Sequence, residues 1–184
     1  FGLPQENELY IQLPSFNYQT FFPHSGFNGV DLGLKHKLAY TSNWIVTIEG
    51  DVLPPSGSST FGNQGWGGDL NLIYSFNLST RLTLTGMLGF TTQTLSSFAG
   101  GARFSSFNPD VFLTWNLTDR LQMYGEIYGQ SKTAPDQGIG FIAASGFIYL
   151  VNKHFTVDIE ASQRLRGAVG GYENFVETGL TFEF

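Results

Sequence analysis

The sequence predicts an all-β fold: a transmembrane, antiparallel, up-and-down β-barrel of about ten strands, one domain over residues 1–184. Three observations predict it. Apolar and polar residues alternate in long runs along most of the chain. Short polar turns recur at an even spacing. The composition is poor in charge (13%) and rich in aromatics (16%) and glycine (23 residues); a soluble domain has about 25% charged residues.

The same composition excludes several classes. A chain this aromatic is neither disordered nor a coiled coil. The longest stretch free of charged and amide side chains, 138–151, holds three glycines and is too short for a membrane-spanning helix. A net charge of −6 makes nucleic acid an unsuitable partner. With no cysteine there is no disulfide, thiolate metal site or cysteine nucleophile. The chain starts at Phe1 with neither Met nor a signal-like stretch, and reads as a mature or truncated form.

The turns set the frame. They are Tyr40-Thr41-Ser42-Asn43, Asn77-Leu78-Ser79-Thr80-Arg81, Asn116-Leu117-Thr118-Asp119-Arg120 and Asn152-Lys153-His154, starting 37, 39 and 36 residues apart. Longer Gly-, Ser-, Pro- and Asn-rich loops lie at the other end, near 14–27, 54–65, 93–103, 131–137 and 166–171. Short turns at one end and longer loops at the other is outer-membrane barrel architecture. Between them the expected strands are 7–13, 28–39, 43–53, 66–77, 80–92, 104–116, 119–130, 138–151, 154–165 and 172–184. An even number puts both ends of the chain on the turn side.

Taken in order, 7–13 adds Glu8 to the charged face. In 28–39, Val30, Leu32, Leu34 and Leu38 oppose Asp31, Lys35 and Lys37, with His36 on the apolar side near the turn rim. In 43–53, Trp44, Val46 and Ile48 oppose Thr47, Glu49 and Asp51; in 66–77, Leu70, Leu72, Tyr74 and Phe76 oppose Asp69, Asn71 and Ser75. The strand 80–92 is bounded by a turn and a loop, and 104–116 is ambiguous. In 119–130, Leu121, Met123, Gly125 and Ile127 oppose Gln122, Tyr124, Glu126, Tyr128 and Gln130. The strand 138–151 is apolar on both faces, so its inner face is expected to pack against something inside the lumen. In 154–165, Phe155, Val157, Ile159 and Ala161 oppose Thr156, Asp158, Glu160, Ser162 and Arg164; 172–184 sets Val176, Leu180, Phe182 and Phe184 against Glu173, Glu177 and Glu183.

No Asp, Glu, Lys or Arg falls on the apolar face. A charge at the lipid-facing midplane costs about 2–4 kcal/mol, so this is what a bilayer requires. A soluble barrel alternates too, with its apolar face turned in, but Lys+Arg 9 and Asp+Glu 15 are few for a solvated exterior. Aromatics also gather at strand ends like interfacial girdles: Trp44, Phe76, Trp115, Tyr149 and Phe155 by the turns, and Phe27, Trp66, Phe90, Phe104 and Tyr172 by the loops.

The last eight residues, Glu177-Thr178-Gly179-Leu180-Thr181-Phe182-Glu183-Phe184, match the C-terminal assembly signal of Gram-negative outer-membrane proteins, with Glu177, Gly179, Phe182 and Phe184 at its defining positions. The match implies insertion by the barrel assembly machinery. Residues 105–184 also resemble a family of outer-membrane transporters named for a meta-pathway of phenol degradation. The resemblance is carried by Leu117-Thr118-Asp119-Arg120-Leu121, Glu126 with Gly129, Gly146, Tyr149-Leu150, Asp158, Leu165 with Gly167, and Gly179 with Phe184. It implies a transport role in the outer membrane and brings no catalytic or binding residues with it.

The expected lumen face carries Asp31, Lys35, Lys37, Glu49, Asp51, Asp69, Glu126, Asp158, Glu160, Arg164, Glu177 and Glu183. One reading is a cation-preferring passage, since acidic rings favour cations. The other is a lumen plugged by ion pairs such as Asp158 or Glu160 with Arg164 or Lys35, since narrow barrels are filled by side chains. His24, His36 and His154 share no face and height with a serine or paired carboxylates, so no catalytic residue is assigned. No phosphate loop, dinucleotide fingerprint, metal cluster or cofactor motif is present. Arg103, Lys132, Arg164 and Arg166 near the loop rim either meet lipopolysaccharide phosphates or are ordinary surface charge. The expected function is passive passage of small solutes, hydrophobic ones included, across the outer membrane of a Gram-negative bacterium. Its rival is a pore-less structural or interaction barrel with partners at its loops, or a subunit of a larger assembly. The expected partners are outer-membrane lipid and lipopolysaccharide, and the assembly machinery during biogenesis.

Overall fold

The computed structural model describes residues 2–4, 6–20, 22–169 and 173–182. The described residues form thirteen strands: β1 (Gly2–Leu3), β2 (Asn7–Gln12), β3 (Phe16–Tyr18), β4 (Ser25–Phe27), β5 (Asp31–Tyr40), β6 (Trp44–Leu53), β7 (Gly67–Asn77), β8 (Leu82–Thr94), β9 (Arg103–Asn116), β10 (Leu121–Gln130), β11 (Gly140–Asn152), β12 (Phe155–Arg166) and β13 (Asn174–Phe182). Eleven form one antiparallel sheet in the order β1-β2-β5-β6-β7-β8-β9-β10-β11-β12-β13. Every expected strand is there, and from β5 onward each pairs with its neighbours in sequence. The sheet is not closed: β1 and β13 are its edges.

Two elements differ from expectation. The short β1 adds a strand by pairing Gly2 with Glu8 and Leu3 with Asn7. The first long loop contains a hairpin, β3–β4, whose Phe16 and Phe27 rings meet edge-on at 5.3 Å. Phe27 therefore belongs to a loop hairpin and not to a wall strand. This hairpin is tied to the next two loops. Ser58 donates to the Phe27 carbonyl from both its amide (2.9 Å) and its hydroxyl (3.1 Å). Phe22 meets Phe98 edge-on at 5.3 Å, and the Phe98 amide bonds the Ser59 carbonyl at 3.0 Å. Loops that look separate in sequence are knitted together at the loop end.

The near-copy turns fold alike because their side chains do the same work. The amides of Leu78 and Ser79 both donate to the Leu82 carbonyl, and those of Leu117 and Thr118 to the Leu121 carbonyl. The Ser79 hydroxyl accepts from the Arg81 and Leu82 amides at 3.2 and 3.1 Å; Thr118 accepts from Arg120 and Leu121 at 3.2 and 3.0 Å. Such hydroxyl-centred turns are local and survive copying.

Register assigns the faces. Leu34, Ile48, Leu72, Leu88, Val111, Ile127, Phe147, Ile159 and Val176 point outward, and many are strongly exposed, Val176 at 69%. Opposite them the polar face is the more buried one. A single-layer sheet buries a face only by curling toward it, so the polar face is the inside of the curve. Between the rims the outward face carries no charged side chain among the described residues; Arg103 and Arg166 sit at its loop end.

The ambiguous strands resolve. In β9, Ser106, Asn108, Asp110, Phe112 and Thr114 face inward with Phe104, which is 6% exposed and so no part of an outer girdle. In β11, Ile142, Ala144, Gly146 and Ile148 face inward, and Ile142 is fully buried. What packs on this apolar inner face is the neighbouring strand's own side chain: Tyr124 lies across Gly146, where a Cβ would stand 2.6 Å from the phenol oxygen.

Candidate functional site

The inward face is polar from strand to strand but divides into two halves. In the half built by β2, β5, β6 and β7, acids meet bases. Lys35 bridges Glu49 at 2.8 Å, and Glu49 also accepts from the Asn71 amide at 3.4 Å. Lys37 bridges Glu6 at 3.1 Å and lies 4.0 Å from the Tyr40 ring centroid. A register shift after Lys37 sets Ala39 opposite Val46. Asp31, Asp51 and Asp69 gather loopward of these lysines, Asp51 directly opposite Asp69 in register. One Asp69 carboxylate oxygen is buried without a hydrogen-bond partner.

In the half built by β9 to β13 the acids have no facing lysine among the described residues. Glu160 accepts a 2.6 Å hydrogen bond from the Tyr124 hydroxyl. Glu126 and Asp110 are diagonal neighbours in register on β10 and β9. Asp158 packs where Gly179 has no side chain, and Glu177 stands opposite Glu160 on the exposed edge strand. Arg164 is turned away, 3.7 Å from Glu173 and 3.3 Å from the Gly167 carbonyl. The expected plugging pairs of Asp158 or Glu160 with Arg164 or Lys35 are therefore not formed: Lys35 holds Glu49, Arg164 reaches Glu173, and Glu160 is satisfied by a phenol. Glu183 and Phe184 lie outside the described residues; Gly179 and Phe182 of the assembly signal are on β13, Phe182 stacked on Phe155 at 4.6 Å.

One device appears in both halves. Tyr10 on β2 crosses Gly33 on β5 to bond Asp51 on β6. Tyr124 on β10 crosses Gly146 on β11 to bond Glu160 on β12. In each, a glycine in the middle strand opens the lane, and a phenol pins a carboxylate two strands away. Tyr124 is further held by Phe112, whose ring stacks on it at 4.9 Å and 25°.

The sequence reading missed Asp110 and the pinning role of the tyrosines. Asp110 was legible in principle: Asn108, Asp110, Thr114 and Asn116 are all even-numbered, but Phe104 and Phe112 interleave with them and blur the alternation. Among the described residues no group of three His, Cys, Asp or Glu could hold a metal ion. His36, on the outward side, pairs with the Asn7 amide oxygen at 3.0 Å.

Comparisons with known proteins agree with this antiparallel architecture. The family described as "Putative MetA-pathway of phenol degradation" matches residues 9–184. The chain belongs to this family. The resemblance seen in 105–184 thus extends over nearly the whole chain. A solved structure of the porin NanC, in a rhombohedral crystal form, aligns with a TM-score of 0.61 at 14% identity, over 98% of this chain and 95% of that one. The fold is porin-like. No curated protein matches the chain.

Proposed function

We propose that this protein is an outer-membrane barrel that lets small solutes pass passively, with a preference for cations. The observation that carries the reading is the excess of acids over bases on the inward face. Asp31, Glu49, Asp51, Asp69, Asp110, Glu126, Asp158, Glu160 and Glu177 share that face with Lys35, Lys37 and Arg164. Acidic side chains lining a narrow passage raise the local concentration of cations and exclude anions. The porin-like fold and the family membership support transport, and the charge-free outward belt supports a place in the bilayer. The small glycine-bearing inner surfaces at Gly33 and Gly146 are occupied by tyrosines, so the passage suits small solutes. We assign the protein no reaction.

The test is single-channel recording of the refolded chain in a planar bilayer under a salt gradient, wild type beside Asp69→Asn/Asp158→Asn. Stepwise conductance with a cation-selective reversal potential, weakened in the variant, is the expected result. A silent bilayer, with folding shown by heat-modifiable gel mobility, overturns the passage and favours a pore-less barrel acting through its knitted loops.

A further inference from the structure

Three rows of side chains cross the inward face of β9 to β12. Toward the turns run Thr114, Tyr124, Gly146 and Glu160; in the middle Phe112, Glu126, Ala144 and Ser162; toward the loops Asp110, Tyr128, Ile142 and Arg164. Glu126 is central in register, with Asp110 one row loopward on the neighbouring strand β9 and Glu160 one row turnward on β12. The cation within reach, Arg164, spends its guanidinium on Glu173 and Gly167. Among the described residues, the acids therefore share these rows with no positive group between them.

A second observation is independent of the acids. Ser162 is only 7% exposed, and its hydroxyl has no hydrogen-bond partner. A buried hydroxyl left unpaired is a cost that native structures avoid unless something outside the chain bonds to it. It lies in the same row as Glu126, separated by the single methyl of Ala144, and is flanked along its strand by Glu160. Phenyl rings bracket the row: Phe112 at one end and, opposite Ser162, Phe175 at the other.

We propose that this row is a binding site for a primary organic ammonium ion carrying an apolar group. The ammonium sits over Ala144. Its three N–H donors match the Glu126 carboxylate, the Glu160 carboxylate and the Ser162 hydroxyl oxygen. Its apolar part rests against one of the bracketing rings. Donor chemistry separates the candidates. An alcohol brings no charge to offset three neighbouring acids, a quaternary ammonium brings charge without N–H donors, and the described acids do not converge as a metal site requires. The site depends on the proposed passage only in that a solute must reach the inward face.

The experiment is equilibrium titration by calorimetry of the full refolded chain in detergent micelles with benzylammonium, and with benzyl alcohol and tetramethylammonium as comparison probes. Benzylammonium is expected to bind saturably. Its affinity should fall at least tenfold in Glu126→Gln and about tenfold in Ser162→Ala, and stay unchanged in Asp119→Asn, a turn residue. Both comparison probes should bind at least tenfold more weakly. The proposal is overturned if tetramethylammonium binds as tightly as benzylammonium, which would mean a diffuse acidic field only, or if neither site variant changes the affinity. Should Glu126→Gln fail to fold, Ser162→Ala, which removes only an unpaired hydroxyl, decides alone. Conductance without amine binding overturns this site and leaves the passage; amine binding with a silent bilayer does the reverse.

Discussion

Replacing Tyr124 with Phe removes one oxygen and tests whether the phenol bridge holds the inner wall together. The hydroxyl is 2.6 Å from Glu160, on a residue 8% exposed. A hydrogen bond to a charged acceptor contributes about 1.5–3 kcal/mol. The ring itself stays, so its stacking on Phe112, about 0.5–1.5 kcal/mol, is retained. Tyr124→Phe should therefore destabilise the folded chain by about 1.5–3 kcal/mol, roughly ten- to a hundredfold in the folding equilibrium. The assay is urea unfolding in micelles, read as a shift in midpoint at constant slope. A double-mutant cycle with Glu160→Met, which keeps length and removes both oxygens, should show a coupling of about 1–3 kcal/mol. Gly146→Ala closes the lane, since its Cβ would lie 2.6 Å from the phenol oxygen, and should erase that coupling. If the two substitutions add within about 0.5 kcal/mol, the bridge carries no stability and the reasoning fails.

Three further outcomes follow from the same geometry. Ile159→Lys puts a charge in the middle of the outward belt and should cost about 2–4 kcal/mol in lipid vesicles; an unchanged urea midpoint would remove the bilayer reading of that face. Lys35→Met leaves the Glu49 carboxylate, 14% exposed, without its cation, and should cost about 1–3 kcal/mol, yet sharpen cation selectivity in the reversal-potential measurement; a shift toward anions would contradict it. Gly57, at φ +84°, would set a Cβ 2.5 Å from the Asn28 carbonyl oxygen, so Gly57→Ala should strain the loop junction by about 1–2 kcal/mol and speed proteolysis near the β3–β4 hairpin, and unaltered protease resistance would argue against the knitted loops.

Most of the wall was legible because its signals are local and repeated. Two-residue periodicity places Glu49, Asp51, Asp158 and Glu160 on one face whatever the rest of the chain does, and the near-copy turns at Asn77 and Asn116 announce hairpins by their hydroxyls alone. The missed features are the non-local ones. Nothing in the sequence ties Tyr124 to Glu160, 36 residues away, because the bond exists only once register brings Gly146 between them. The plugging pairs failed for the same reason: Lys35 and Arg164 were free to be matched with any acid on paper, while register gives Lys35 to Glu49. The β3–β4 hairpin hid within a loop because its strands are three residues each, stabilised by the loops of other hairpins.

In a bilayer every unpaired backbone group costs several kcal/mol, so the free sides of β2 and β13 must pair with something. β1 pairs with β2 at Asn7 and Glu8, and among the described residues no strand of the sheet pairs the outer side of Tyr10 to Gln12. Strand parity makes β2 and β13 antiparallel, and both carry their apolar residues outward: Leu9 and Ile11 on one, Val176 and Leu180 on the other. Pairing of the loopward halves of these strands would close the sheet into a barrel. The chain has no cysteine, so an introduced pair reports without background. With Ile11→Cys fixed and Asn174, Val176 or Thr178 changed to Cys in turn, one pair should oxidise within a single chain, since paired strands bring opposite Cβ atoms to about 4.5–5.5 Å. Cross-links that form only between two chains would show instead that the wall is completed by a second copy, and the acidic inward face would then line a passage shared by both.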